Sequence, residues 1–167
     1  MAEILPDYQN GADTGSQRGE VLSGHMREGK LMLTIYIVDD SKMMRERLAD
    51  LVADVAGVEI VGQSGDPFRA MEGIRESQPD VVILDIRLPG RSGINVLRDL
   101  KRNTPAPIVI MVTNYPYRQY RQGCMAAGAD YFFSKVDEFE LVRGALIRIG
   151  CQHQNKAHRV HVDRKGE

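Results

Sequence analysis

Five residues with ionisable or hydroxyl side chains each follow a short apolar run of this 167-residue chain: Asp39, Asp40, Asp85, Thr113 and Lys135. Three neighbouring carboxylates retain a proton unless a cation relieves their repulsion, and a hard divalent ion such as Mg²⁺ prefers an all-oxygen site. If these residues meet in the fold, they predict a metal site in which Asp85 is a candidate nucleophile toward phosphorus. The metal, the Thr113 hydroxyl and the Lys135 ammonium would then balance the charge on the phosphoryl oxygens.

Each of these residues, taken alone, has a simpler explanation. Asp39, Asp40 and Ser41 are typical of a helix start, where acidic and hydroxyl side chains interact favourably with the helix dipole. Asp85 stands before a Pro-Gly turn, and Thr113 is typical of a strand end. Only their joint placement behind separate strands favours chemistry over these local roles.

Short apolar runs of strand length alternate along the chain with stretches of helical periodicity. The predicted strands are Ile35–Val38, Val58–Gly62, Val81–Leu84, Ile108–Val112 and Tyr131–Phe133. Strict alternation predicts an α/β fold in which a doubly wound, five-stranded parallel sheet is covered by five helices. The carboxyl ends of its strands would bring the five residues to one edge, where open α/β sheets bind their ligands.

Residues able to cap helices precede most of the periodic stretches: Ser41, Asp66 with Pro67 behind it, Ser92, and the capping-box-like segment DEFE at 137–140. The segment between the fourth and fifth strands has a weaker helical pattern than the others. Only Tyr117, Tyr120 and Cys124 have helical spacing there, with Gly123 among them. The fourth helix is therefore weakly specified.

The composition predicts one globular domain with two tails. The net charge of −1 and the 43% hydrophobic content indicate no general attraction to nucleic acid or anionic membrane. The two cysteines form no disulfide framework, and neither a long apolar segment nor a signal peptide is present, which predicts a cytoplasmic protein without a membrane segment. We expect a disordered tail over 1–33, a domain over 34–150, and a polar tail over 151–167 that is too short for a DNA-binding domain.

From about Thr34 to Gly150 the sequence resembles a response-regulator receiver domain, the flavodoxin-like phosphoacceptor module of two-component signalling. IYIVDDS is similar to the acidic pair of that family, and VVILDIRLPGRSG to its phosphoacceptor strand and D-x-x-L-P-x-x-x-G turn. VIMVTN resembles its threonine strand, and GADYFFSK its lysine segment.

The resemblance implies a role for each matching position. Asp85 would be the phosphorylated residue, Asp40 a direct Mg²⁺ ligand, and Asp39 an acid that holds metal-bound water. The backbone carbonyl of Arg87 would complete the protein ligands of the metal. The remaining implied roles belong to Lys135, which pairs with the phosphoryl group, and to the switch residues Thr113 and Phe132.

Some positions depart from the pattern of the family. Val136 follows Lys135 where many relatives have proline, and Asn114 follows Thr113 where a smaller residue is usual. Arg87 and Tyr115 are large side chains two positions beyond Asp85 and Thr113. We expect them to overhang the site and to slow hydrolysis of the phosphoryl group by obstructing in-line water attack.

These features predict a stand-alone receiver, not an enzyme, that a sensor histidine kinase phosphorylates. Its output would be a protein target bound at a face formed by helix 4, strand 5 and helix 5, with Tyr117, Tyr120 and Arg121 as candidates. Dimerisation on phosphorylation stays open. The alternatives are a phosphorelay intermediate that exchanges with a histidine phosphotransfer protein, and a phosphorylation-independent binding module. An aspartate-nucleophile phosphatase of the haloacid-dehalogenase type is a weaker alternative, because it needs a D-x-D pair and the chain offers adjacent aspartates.

Overall fold

A computed structural model describes the backbone of residues 26–27 and 30–163 and the side chains of residues 32–155. The expected N-terminal tail therefore lies mostly outside the described residues. Its described part forms a short antiparallel pair of two-residue strands, Met26–Arg27 and Lys30–Leu31.

The centre of the fold is one sheet of five parallel strands, as predicted. The strands are β1 (Leu33–Val38), β2 (Val58–Ser64), β3 (Val81–Leu84), β4 (Ile108–Thr113) and β5 (Tyr131–Ser134). Their order in the sheet is β2-β1-β3-β4-β5, and every neighbouring pair is parallel. The order reverses direction at β1, so the crevice beyond β1 and β3 is the switch point at which such sheets place ligands.

Five helices connect and cover the strands: α1 (Lys42–Ala53), α2 (Pro67–Ser77), α3 (Gly93–Arg102), α4 (Arg118–Ala126) and α5 (Leu141–Asp163). The predicted caps of α1, α2 and α3 are confirmed, because Ser41, Asp66 and Ser92 each accept a hydrogen bond from the first turn of their helix. The weakly specified α4 has no side-chain cap at its first residue.

Helix α5 is longer than its apolar periodicity indicated. It continues to Asp163 and so includes most of the segment expected to be a polar tail, and the division of the chain into a domain and two tails stays a prediction. No glycine or proline occurs between 151 and 163, and nothing in the backbone therefore ends the helix at Gly150. The DEFE segment, expected to be a capping-box-like helix start, instead precedes α5 as a turn, and its Glu138 carboxylate accepts from Ser134 N at 2.9 Å.

The two faces of the sheet bury separate clusters of apolar side chains. Alternate residues of β1 divide between them: Ile35 and Ile37 pack toward α1 and α5, whereas Tyr36 and Val38 pack toward α2, α3 and α4. Helices on both faces explain why the strands are apolar along their whole length. Among the described helices, none combines the length and the hydropathy required to cross a bilayer.

Candidate functional site

The sheet holds most of the predicted site residues in place by hydrogen bonds that continue one residue past the strands. Asp39 N donates to Ser64 O at 3.1 Å, Asp85 N donates to Val38 O at 2.9 Å, and Lys135 N donates to Thr113 O at 2.8 Å. The side chains after β1, β3 and β5 are therefore fixed at the same edge, next to Thr113 at the end of β4. The structure brings together the residues that the sequence placed there.

Lys135 is the positive centre of this site. Its Nζ lies 2.7 Å from Asp85 Oδ2, to which it donates a hydrogen bond, and 2.6 Å from Asp39 Oδ2. The three side chains are almost completely buried, with exposed fractions of 2% for Lys135, 1% for Asp39 and 5% for Asp85. A buried ammonium thus bridges two buried carboxylates.

The charge on Asp39 is only partly compensated. With an effective dielectric constant of 20, Lys135 at 2.6 Å favours ionised Asp39 by about 6 kcal/mol, and a carboxylate within 4.8 Å opposes it by about 3.5 kcal/mol. Loss of hydration costs a buried ion several kcal/mol more, which outweighs the remaining attraction. Burial accordingly raises the pKa of Asp39 above its ordinary value of 3.8; the Lys135 ammonium lowers this pKa and Asp85 raises it.

One oxygen of the Asp39 carboxylate has no hydrogen-bond partner. Asp39 Oδ1 accepts from Ser41 N at 3.0 Å, whereas the buried Oδ2 accepts no hydrogen bond and has only its ion pair with Lys135 Nζ at 2.6 Å. Asp39, Asp40 and Asp85 each offer a carboxylate oxygen, and these oxygens lie within 4.8 Å of one another. This donor set fits a hard divalent cation.

Asp40 reaches the site from the exposed side of the loop between β1 and α1. Arg45 fixes that loop, since its guanidinium donates to the backbone oxygens of Asp39 at 2.7 Å and Asp40 at 3.3 Å. Arg45 is a residue that the sequence analysis missed, because an arginine in a first helical turn carries no local sign of a contact with the preceding loop.

The loop after Asp85 is held close to the start of α3. Arg87 N donates to Asp85 Oδ1 at 3.3 Å, and Gly93 N donates to Ile86 O at 2.8 Å. A Cβ atom on Gly93 would lie 1.9 Å from the backbone oxygen of Asp85. The glycine that ends the D-x-x-L-P-x-x-x-G turn is therefore required by the close approach of two backbones.

Arg87 and Tyr115 meet above this edge of the sheet. The Arg87 guanidinium carbon lies 4.9 Å from the centre of the Tyr115 ring, which is the geometry of a cation–π contact. Tyr115 N also donates to Thr113 Oγ1 at 3.1 Å, so the tyrosine is tied to the buried hydroxyl. The contact connects the loops that follow β3 and β4.

Phe132 and the three predicted partner residues lie on the α4 side of β5. Phe132 is buried, and the Arg121 guanidinium carbon lies 4.7 Å from its ring centre. Arg121 also donates to Phe132 O at 3.1 Å and pairs with Glu138 at 3.0 Å. Tyr117 is 59% exposed and its ring centre is 6.1 Å from that of Tyr120. Arg121 is thus occupied within the chain, and Glu138 is its ion-pair partner.

Residues 35–146 match the family model of the response regulator receiver domain. The chain belongs to this family. It is the receiver domain of a two-component response regulator, and the fold predicted from the sequence is confirmed.

Relatives of this receiver domain include longer proteins. An uncharacterized response regulatory protein of Vibrio cholerae is 36% identical over 124 residues, which are 74% of this chain and 51% of the relative. A protein-glutamate methylesterase/protein-glutamine glutaminase of Anaeromyxobacter dehalogenans is 43% identical over 76 residues, 46% of this chain and 21% of that protein. The chain spans about half or less of the length of these two relatives.

Solved structures of receiver domains are similar over most of their own length. The response regulator domain of Thermotoga maritima CheB is 28% identical with a TM-score of 0.64, and the match covers 74% of this chain and 97% of that one. CheY in the CheX–CheY–BeF3–Mg²⁺ complex from Borrelia burgdorferi is 27% identical with a TM-score of 0.59, over 64% and 80% of the two chains.

The raised pKa of Asp39 predicts that this carboxylate destabilises the metal-free receiver. Substitution Asp39→Asn should raise the free energy of unfolding at pH 7 in EDTA by an amount on the order of 1 kcal/mol. The gain should shrink as the pH falls toward the ordinary carboxyl range, because a raised pKa makes the ionised form the costly one and protonation removes that cost. Urea denaturation between pH 5 and pH 8 measures both effects.

Asp50→Asn in the exposed face of α1 is the matched control and should change stability by no more than about 0.5 kcal/mol. If Asp39→Asn were less stable than the wild type at pH 7, the attraction of Lys135 would outweigh burial and the account of this carboxylate would be wrong.

Proposed function

We propose that Asp85 accepts a phosphoryl group from a sensor histidine kinase or a histidine phosphotransfer protein, and that the chain acts as a phosphoacceptor and not as an enzyme. The observation that carries this proposal is the Asp85 carboxylate itself. It is buried at the switch point of the sheet, held by Lys135 on one oxygen and by Arg87 N on the other, with two further carboxylates beside it.

The same arrangement supports binding of Mg²⁺. Asp39, Asp40 and Asp85, with the backbone carbonyl of Arg87, are the residues that would hold the ion. The buried Asp39 Oδ2 without a hydrogen bond, in a cluster with more carboxylates than ammonium groups, is the feature that fits a cation. When bound, Mg²⁺ supplies positive charge that offsets the negative charge of the phosphoryl oxygens.

The residues of the chain have distinct parts in the transfer. An Asp85 oxygen attacks phosphorus, the bond from phosphorus to the donor's imidazole nitrogen breaks, and the electron pair of that bond returns to the imidazole. Lys135 Nζ, freed from sharing two carboxylates, pairs with a phosphoryl oxygen, and the Thr113 hydroxyl donates to another. Burial of Asp85 and Lys135 keeps both groups largely away from water, which strengthens their electrostatic interaction.

The signal would leave the site through Thr113 and the α4 side of the sheet. A change at Thr113 acts directly on Tyr115, which donates to its hydroxyl, and Tyr117 and Tyr120 continue this series of neighbouring rings. We propose Phe132 as the aromatic switch residue, with its ring beneath the Arg121 guanidinium. The exposed Tyr117 and its neighbours Tyr120 and Arg121 form the proposed partner face.

The wider role of the chain remains a proposal, because its curated relatives are longer. They include a DNA-binding transcriptional activator of Mycobacterium tuberculosis, 32% identical over 113 residues and covered over 52% of its length. The expectation that no DNA-binding domain acts together with this receiver therefore stays a prediction.

Phosphorylation of Asp85 is tested by intact mass spectrometry after incubation with acetyl phosphate. We expect a gain of one phosphoryl group that requires Mg²⁺ and is absent from Asp85→Asn. Asp50→Asn, which removes a carboxylate from the exposed face of α1, is the matched control and should be phosphorylated like the wild type. A phosphorylated Asp85→Asn variant, or a folded wild type that gains no mass with Mg²⁺, would show that the proposal is wrong.

The Arg87–Tyr115 contact predicts slow loss of the phosphoryl group. Arg87→Ala and Tyr115→Ala should each raise the decay rate of the phosphorylated protein on the order of tenfold, about 1.4 kcal/mol in barrier, because the overhanging side chains obstruct water. The double variant should gain less than the product of the two, since the side chains act as one unit. Decay is followed by intact mass after removal of acetyl phosphate.

Gln119→Ala is the control for this experiment, because Gln119 is an exposed residue of α4 outside the Arg87–Tyr115 contact. Equal decay rates in the wild type, Arg87→Ala and Tyr115→Ala would refute a shielding role for the pair.

A further inference from the structure

Arg45 stands at a position where a positive charge is unfavourable for two reasons. It lies in the first turn of α1, which has no acidic residue, and the positive end of the helix dipole disfavours a cation there. It is also close in the chain to Asp39 and Asp40, whose carboxylates belong to the proposed Mg²⁺ site, and a nearby positive charge weakens the binding of a cation. Neither the helix nor the charge of the site explains an arginine here.

The hydrogen bonds of Arg45 reach the backbone that carries the acidic pair. A single nitrogen, Nη1, donates to Asp39 O at 2.7 Å and to Asp40 O at 3.3 Å. Asp39 is also held through its own N–H, which donates to Ser64 O at 3.1 Å. Asp40 has no second backbone hydrogen bond within residues 32–155. The position of the Asp40 carboxylate therefore depends on the guanidinium of Arg45.

Gly65, in the loop between β2 and α2, leaves the space that this guanidinium occupies. A Cβ atom at position 65 would lie 2.8 Å from Arg45 Nη1 and 3.3 Å from Asp39 O. Gly65 does not have the positive φ that favours glycine, so the position requires the absence of a side chain and not a special backbone conformation. The loops after β1 and β2 thus pack around one guanidinium group.

We infer that Arg45 is a positioning residue that raises the affinity of the acidic cluster for Mg²⁺, with Gly65 as the neighbour that admits its guanidinium. The inference rests on the proposed metal site. Arg45 acts through the backbone of Asp39 and Asp40, which it holds in place before the ion binds. Contacts of this kind, one step removed from the metal, change metal affinity by about 10- to 100-fold.

Arg45→Met tests the inference by the sign of its effect. If only the charge of Arg45 mattered, its removal from the vicinity of three carboxylates would tighten cation binding. Loss of positioning should instead weaken it, and we expect the dissociation constant for Mg²⁺ from isothermal titration calorimetry to rise about tenfold. Arg45→Lys keeps the charge and a donor and should recover most of the loss. The matched control is Arg69→Met, an exposed arginine in the first turn of α2, which should not weaken binding.

Gly65→Ala tests the same contact without removing a charge. Its methyl group should displace the guanidinium and raise the dissociation constant for Mg²⁺ as Arg45→Met does. The double variant should bind no more weakly than the weaker single variant, because both changes remove one contact. Gly123→Ala in α4 is the control, since a Cβ atom there would meet only a side-chain carbon of Ile94 at 4.0 Å.

Hydrogen–deuterium exchange in EDTA measures the positioning itself. Amides of residues 39–42 should exchange faster in Arg45→Met and Gly65→Ala than in the wild type, while urea denaturation shows that each variant is folded. Unchanged exchange in both variants would overturn the inference. A wild type that binds Mg²⁺ and an Arg45→Met variant that binds it equally or more tightly would also overturn it, with the proposed metal site intact. A folded wild type that binds no Mg²⁺ would instead refute the metal site, and the inference with it.

Discussion

The buried ammonium of Lys135 is the interaction on which the rest of this structure depends. It joins Asp39 and Asp85 across the sheet edge, and both carboxylates lie in the protein interior. A buried ion pair gives little net stability, because the loss of hydration offsets most of the attraction. The ion pair instead leaves the site with an unbalanced charge, because it contains more carboxylates than ammonium groups. Binding of a cation or of a phosphoryl group would change this net charge.

The fold accounts for how these charges can be held so close. Hydrogen bonds beyond β1, β3 and β5 continue the sheet and fix the backbones of the charged residues, so their positions do not depend on flexible loops. Gly93 lets α3 start against the backbone of Asp85, and Arg45 ties down the loop that carries Asp39 and Asp40. Burial of the two apolar clusters on the faces of the sheet stabilises the fold and offsets the free-energy cost of the buried charges.

Much of this arrangement is local in origin and was predictable. The apolar runs and the helix caps between them predicted all five strands. The strict alternation of strands and helices predicted a parallel sheet, which brings Asp39, Asp85, Thr113 and Lys135 to one edge. Contacts between distant side chains were not predictable in the same way. Arg121 contacts Phe132 and Glu138 because α4 packs beside β5, and no spacing in the sequence encodes that approach. The continuation of α5 was missed because polar composition suggested a tail, although no residue there breaks a helix.

The central claim is that the carboxylate of Asp85, and neither of its acidic neighbours, carries the phosphoryl group. Borohydride reduction of the phosphorylated protein converts an aspartyl phosphate to homoserine, and peptide mass spectrometry then identifies the position. We expect homoserine at position 85 and intact aspartate at Asp39 and Asp40. Homoserine at either of those two positions, with Asp85 unchanged, would contradict it.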